Sequence, residues 1–254
     1  MKDWDVQINY GIKTGCNDAF IVDSVKRNEI LNNCITEEER QKTAEIIRPI
    51  LRGRDVCRYG YEWANLWIIN THNGIKGDLE RIHIEDYPAI KQHLDKYWDK
   101  IEPRADQGDT AYNLRNCAYL DEFSKPKIIY PNMTKFLPFV YDRSGVMTNQ
   151  KCFIITGTHL EYLTAFFNSS LFKFCFADRL PELQGKTREL SKIFMDEISI
   201  LKINDTDECM INKLVQDIQM EYSVNKAKRI DKFIFDLYHL SIEEQMYIGF
   251  IDYG

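Results

Sequence analysis

The 254-residue chain has no Cys-x-x-C pair, no Pro-Pro dipeptide and no apolar run long enough to cross a membrane. Each absence excludes something. The seven cysteines (Cys16, Cys34, Cys57, Cys117, Cys152, Cys175 and Cys209) are odd in number and scattered. That pattern excludes zinc-ribbon spacing and points to reduced thiols in a cytoplasm. The apolar stretch Leu160 to Phe172 contains Glu161 and falls short of the roughly 20 residues of a membrane span. No basic start leads into an apolar run at the N-terminus, so no signal peptide is expected. A phosphate-binding loop is missing, because Gly185-Lys186-Thr187 lacks the glycine that should stand five residues upstream. The Asn/Asp-Pro-Pro-aromatic tetrapeptide that amino-methyltransferases hold against their target amine is absent. None of the 20 lysines has Asp or Glu two residues before it, which removes the carboxylate–lysine pair of a metal-dependent nuclease core. The histidines (His72, His83, His93, His159 and His239) show no metal-ligand spacing. The sequence therefore reads as a binding module without catalytic or metal residues of its own.

What is present is an ordinary globular composition, 44% hydrophobic and 28% charged. The net charge of −6 argues against a polyanionic partner until its distribution is considered. From Asp196 onward there are 6 basic and 12 acidic residues, so residues 1–195 are neutral overall, with 27 of each. Within that neutral part the basic residues cluster. Arg48, Arg52, Arg54 and Arg58 fall in one stretch with Asp55, and Lys125, Lys127, Lys135, Arg143 and Lys151 in another with Asp142. Local excess governs phosphate contact, because exposed charges are screened beyond about 10 Å at 0.1 M salt.

The pattern predicts α+β architecture, with short-stranded mixed sheets, packed helices and a helical C-terminal subdomain. The boundary falls between residues 203 and 204. Val6 to Tyr10 alternates as a half-buried strand and enters a two-glycine loop, Gly11 to Asp18, from which Ala19 to Val22 returns as a strand. Thr36 and Glu39 form a capping box that opens a helix ending before Pro49. Leu66 to Asn70, Lys127 to Tyr130, Phe136 to Tyr141, Cys152 to Ile155 and Ile198 to Ile203 read as strands, the third at an edge because of Pro138. Tyr87 to Ile101, Leu160 to Phe176, Glu208 to Tyr222, Lys226 to Leu240 and a short segment capped by Ser241 read as helices.

Polar side chains interleave with the basic clusters. Asn and Gln can read adenine edges bidentately, Arg and Lys can read guanine, and Thr offers a hydroxyl and a methyl. This nominates Asn132, Thr134, Lys135, Asn149 and Lys151 near strand ends as base or backbone contacts. Arg52, Arg54, Arg58, Lys125 and Lys127 are nominated for phosphates.

The motifs together resemble a known family. Gly11-Ile12-Lys13-Thr14-Gly15-Cys16-Asn17-Asp18-Ala19-Phe20 looks like the opening signature of the TaqI-like C-terminal specificity domain. Arg48-Pro49-Ile50-Leu51-Arg52-Gly53-Arg54-Asp55-Val56-Cys57-Arg58-Tyr59 with Trp63 fits the family's second motif. Tyr112-Asn113-Leu114-Arg115 and Lys125-Pro126-Lys127-Ile128-Ile129-Tyr130 fit later ones, as do Asn168-Ser169 in a Leu-rich helix and Leu237-Tyr238-His239-Leu240-Ser241. The departure is Ile198-Ser199-Ile200-Leu201, where family members often carry a Pro-Ile-Pro strand. The resemblance implies the target recognition domain of a type IIG restriction-modification enzyme or adenine-specific DNA methyltransferase. Its fold would be similar to the specificity subunits of type I systems. It adds Lys13, Thr14, Asn17 and Arg115 to the residues expected at duplex DNA. The partners it implies are double-stranded DNA and the methyltransferase and endonuclease domains of a longer polypeptide. S-adenosylmethionine and Mg2+ would belong to those domains and no cofactor to this chain. A protein-interaction or assembly module, with the acidic helical end as its surface, is the alternative. A small nuclease using Asp106, Asp109 and Asp121 is a third reading without a recognised metal geometry.

Overall fold

The structure is a computed structural model, and the residues it describes are 1–183, 185 and 187–251. Strand β1 (Val6–Tyr10) leads through the glycine loop into α1 (Asn17–Phe20), β2 (Ile21–Asp23), α2 (Ser24–Asn32), α3 (Glu37–Ile46) and β3 (Ile47–Leu51). A short hairpin of β4 (Val56–Cys57) and β5 (Gly60–Tyr61) precedes β6 (Leu66–Ile69), α4 (Pro88–Asp95) and α5 (Trp98–Ile101). Then come β7 (Lys127–Pro131), β8 (Met133–Thr134), β9 (Val140–Asp142), β10 (Met147–Thr148) and β11 (Cys152–Gly157). After them follow α6 (Leu160–Asn168), α7 (Ser170–Phe176), β12 (Glu182–Leu183), β13 (Thr187–Glu189) and α8 (Lys192–Asp196). The chain finishes with α9 (Asp205–Met220), α10 (Val224–Leu237) and α11 (Ile242–Ile248). The fold is mixed α+β with several small sheets and a helical C-terminal region, as the pattern predicts.

The centre is an antiparallel sheet in the order β1-β11-β7-β9. Side chains alternate across a strand, and here both faces of the inner strands β7 and β11 are covered. Ile8, Ile128, Tyr130, Phe153 and Ile155 enter one apolar core, together with Leu163, Phe166, Phe167, Phe172, Ile211, Val215, Ile230 and Ile234 from the helices. Ile129, Val140, Cys152 and Ile154 enter the other, against Ile47, Ile50, Leu51, Ile68 and Ile69 of the second sheet and Ile90 and Leu94 of α4. That second sheet has the order β10-β3-β6-β2, with β10 parallel to β3. Double-sided burial explains why Ile128-Ile129-Tyr130 and Phe153-Ile154-Ile155 run apolar without alternation. Each such side chain contributes about 1.5–3 kcal/mol on full burial. The helical segment from Asn204 onward shares the first of these cores.

Several elements differ from the sequence pattern for local reasons. The glycine loop is not a hairpin, because β1 pairs with β11 and β2 with β6 in the other sheet. Ala19 and Phe20 lie in α1, not in a strand. The expected helix from Tyr87 is broken into α4 and α5 around Lys96-Tyr97. The long apolar helix from Leu160 breaks at Ser169, whose Oγ accepts from Phe172 N at 3.1 Å and starts α7 anew. Asn168 meanwhile clasps the Phe139 backbone, its Oδ1 accepting at 3.2 Å and its Nδ2 donating at 2.7 Å. Ile198 to Ile203 is not a strand. Tyrosine hydroxyls serve its backbone in place of a neighbouring strand: Tyr162 donates to Leu201 O at 2.7 Å, and Leu201 N donates to Tyr238 at 2.9 Å. Helix α2 has only Ile30 and Leu31 buried, too few for a periodic signal.

The helical end is tied in by polar contacts. Buried Asp231 of α10 accepts from Ser170 N at 2.8 Å and from Ser170 Oγ, capping α7. Burial raises its pKa above the usual carboxylate value, and the Ser170 hydrogen bonds oppose the rise. A carboxyl with a raised folded pKa binds a proton that the unfolded chain releases, so its contribution to stability grows as pH falls. Lowering pH from about 7 to about 4, close to the ordinary carboxylate value, should therefore raise the melting temperature of the wild type relative to Asp231→Asn. A difference that stays flat or reverses over that range, read by calorimetry, would show a carboxylate held ionised.

Candidate nucleic-acid interface

Antiparallel pairing sets the ends of β1 and β7 beside the start of β11, and the parallel β3–β10 pair ends at the same place. Four loops meet there. Gly11 N donates to Cys152 O at 2.9 Å and Ile12 N to Thr148 O at 2.7 Å. Asn149 N donates to Leu51 O at 3.0 Å, and Asn132 N to Lys151 O at 2.8 Å. A Cβ on Gly11 would stand 2.1 Å from Asn149 O and 2.5 Å from Thr148 O, so only glycine admits this approach. The glycine-loop, arginine and strand-end motifs, far apart in sequence, are thus brought to one edge of the molecule.

Lys13 meets Asp106 at 3.4 Å, and Arg115 meets the same carboxylate at 3.1 Å. The link is made from beneath by Arg104, which the sequence pattern did not single out. Its buried guanidinium donates to Thr14 O, to Asn113 O and to Ala111 O, the last at 2.9 Å, and lies 4.3 Å over the Phe20 ring. Burial lowers its pKa to about 10. No sequence motif marks Arg104, because its role depends on carbonyls 90 and 9 residues away. Beyond Pro131, β8 pairs with β13, setting Thr134 opposite Arg188 and Met133 opposite Glu189 in a ribbon with β12. A groove of about 810 Å³ opens between the Asn73–Arg81 turn and Asp109, Asn116 and Cys117.

The expected contact residues do not all reach solvent. Lys127 is 0% exposed, donating to Asp142 at 2.7 Å and to Phe123 O at 2.9 Å. It faces the core because strand parity puts it on the side of Ile129, and its burial lowers the lysine pKa despite Asp142. Lys127 cannot touch DNA in this fold. Thr14 and Asn149 are buried too. Thr14 hydrogen-bonds Asn17 at 2.7 Å, and Asn149 Oδ1 accepts from Lys151 N at 3.1 Å to shape the turn. Arg52 is held by Asp55 at 2.7 Å, which raises its pKa and neutralises its charge. Arg58 donates to Asn168 O at 2.7 Å and lies against Phe250, on the helical side. Lys125 sits beyond the opposite end of β7, about 20 Å away at strand rise, paired with Asp121 and Glu122.

Arg54, Lys135 and Lys151 are different: each is exposed, and none has an ion-pair partner among the described residues. Gly53 carries Arg54 to this edge, its Cβ position lying 3.1 Å from Lys151 O and 3.3 Å from Pro131 Cβ. Asn17 is exposed at the start of α1, and Asn132 and Thr134 are half-buried at the end of β7 and in β8. The carboxylates of Asp106, Asp109 and Asp121 do not converge: they bind Lys13 and Arg115, Asn73, and Lys125. Among the described residues no His/Cys/Asp/Glu group is arranged to hold a metal ion. None of their helices is long and apolar enough to cross a membrane, and none of their cysteines is bridged.

A specificity domain of restriction-modification enzymes is the class to which this architecture corresponds. The family profile described as the TaqI-like C-terminal specificity domain matches residues 48–200, more than half of the sequence, and the chain belongs to that family. Its fold is similar to part of the type IIL restriction-modification enzyme MmeI, solved in complex with DNA. That match has a TM-score of 0.68 at 11% identity and covers 92% of this chain and 33% of the other. It is also similar to part of the type IIG restriction endonuclease BpuSI, with a TM-score of 0.54 at 14% identity over 91% and 30% of the two chains. The chain spans about a third of the length of these enzymes.

The close approach at Gly11 can be tested against a glycine with space around it. Gly11→Ala must displace backbone and should lower stability by about 1–3 kcal/mol or more. Gly60→Ala meets nothing within 4 Å and should be near neutral. Urea unfolding of both variants measures the difference, and equal stabilities would refute the packing described.

Proposed function

We propose that this chain is the duplex-reading part of a restriction-modification enzyme and sets a methyltransferase and an endonuclease domain on their target site. The observation that carries this reading is the pairing in space of Arg54 and Lys151, exposed and without ion-pair partners among the described residues, where four loops meet, with exposed Lys135 just past β8. Unneutralised cations on one edge release counterions from DNA, and that release dominates affinity. Lys13 and Arg115 rim the same edge, their charge shared with Asp106. Asn17, Asn132 and Thr134 supply the hydrogen-bonding groups nearby, and the β8–β13 ribbon is an element that a major groove admits. Membership of the specificity-domain family supports the reading.

In this proposal the chain performs no chemistry. The methyltransferase domain binds S-adenosylmethionine and takes the adenine out of the stack, and the endonuclease domain uses Mg2+. Calorimetry of the isolated chain with S-adenosylmethionine should show no saturable heat.

Titration with labelled duplex across a salt series tests the interface. Affinity should fall in the range of about 10⁻⁴ to 10⁻⁶ M at physiological salt. Arg54→Ala, Lys135→Ala and Lys151→Ala should each reduce the salt slope by roughly 0.9 unit. Lys127→Met should leave that slope unchanged while lowering stability, because it strands Asp142 in the core. If the three exposed substitutions leave the slope untouched, DNA lies elsewhere or is not the partner.

A further inference from the structure

No residue of α11 is buried, although the helix is rich in large apolar side chains. Ile242 is 75%, Met246 77% and Tyr247 81% exposed, and Tyr247 extends the patch by an edge-on contact with half-exposed Phe174 at 5.7 Å. At 100° per residue, Ile242 and Met246 form one stripe and Glu243 and Tyr247 the next. Ile248 turns the other way, onto the core. A groove of about 290 Å³ separates the first stripe from α10, lined by Lys228, Lys232, Phe235, Met246 and Phe250. The face therefore reads, in order, lysines, groove, apolar stripe and Glu243. Lys228 and Glu243 have no ion-pair partner among the described residues, whereas Lys232 is bound to Asp236 and Glu244 accepts from Ser241 N in its cap.

A contiguous apolar patch with polar edges marks an interaction surface, and opposite charges on its two edges make it complementary to itself. With two such faces opposed, rotation by 180° about an axis running along the apolar stripe exchanges the edges. We propose that a second copy of this chain covers this face, α11 packing parallel to α11 about a two-fold axis that runs along the apolar stripe beside Met246. Ile242 and Met246 of each copy then line the groove of the other, and Glu243 of each copy meets Lys228 of the other. This is the isologous arrangement expected of a two-fold dimer. It uses none of the residues assigned above to DNA, so it stands or falls separately.

Sedimentation of the whole chain, at concentrations on the order of 1 to 100 µM, should show mass shifting from one copy toward two. Met246→Lys should abolish the shift. Glu243→Lys and Lys228→Glu should each weaken association by about tenfold or more, and the two together should restore it. All three positions are exposed, so unchanged melting temperatures would exclude misfolding as the cause. A wild-type chain that stays monomeric throughout overturns the proposal and leaves the face to a different protein. Association that survives Met246→Lys, or charge exchange without recovery, overturns it as well.

Discussion

Everything in this molecule hangs on one sheet being buried from both sides. Strand β7 and residues Cys152 to Thr156 of β11 are buried throughout, so their apolar side chains must satisfy one of two cores. Ile128 and Tyr130 hold the helices, while Ile129 and Ile154 hold the second sheet. A register slip by one residue would exchange the two sets and strand the Lys127–Asp142 pair in the wrong core. That buried pair is a strong constraint on register, since an ion so placed is tolerated only with its partner opposite.

The same sheet makes the candidate interface. Because β1, β7 and β3 end together against the β10–β11 turn, their loops crowd to one edge, where backbone approaches are too close for any side chain at Gly11. Arg104 then fixes the glycine loop to the 110–114 turn through backbone carbonyls, with its charge spread over Phe20. Hydrogen bonds within the protein tie the loop backbones together at this edge, while Arg54 and Lys151 stay exposed and without ion-pair partners among the described residues. Preorganisation of this kind lowers the ordering cost of binding.

Charge assignment shows how little composition says about a site. The arginine-rich stretch 48–58 looks uniformly available for phosphate. Three of its members have prior engagements: Arg48 with Gly145 O at 3.0 Å, Arg52 with Asp55 and Arg58 with Asn168 O. Arg54 alone among these four arginines is exposed and without an ion pair or hydrogen bond among the described residues.

Local chemistry was legible from the sequence by itself. The Thr36 cap with Glu39 at N3, the Ser241 cap, the amphipathic α9 and α10, and the strand cores around Ile128 and Ile154 all follow from short-range periodicity and side-chain hydrogen bonding. So did the family, through motifs whose spacing lies within a few residues. What only tertiary structure decided were outcomes set by distant partners. Whether the glycine loop closed a hairpin depended on β11, 140 residues downstream. Whether Ile198 to Ile203 became a strand depended on the Tyr162 and Tyr238 hydroxyls. Which side Lys127 faced depended on what covered the sheet. A periodic pattern records that a face is buried, but the identity of its cover is a non-local fact that no window of neighbouring residues contains.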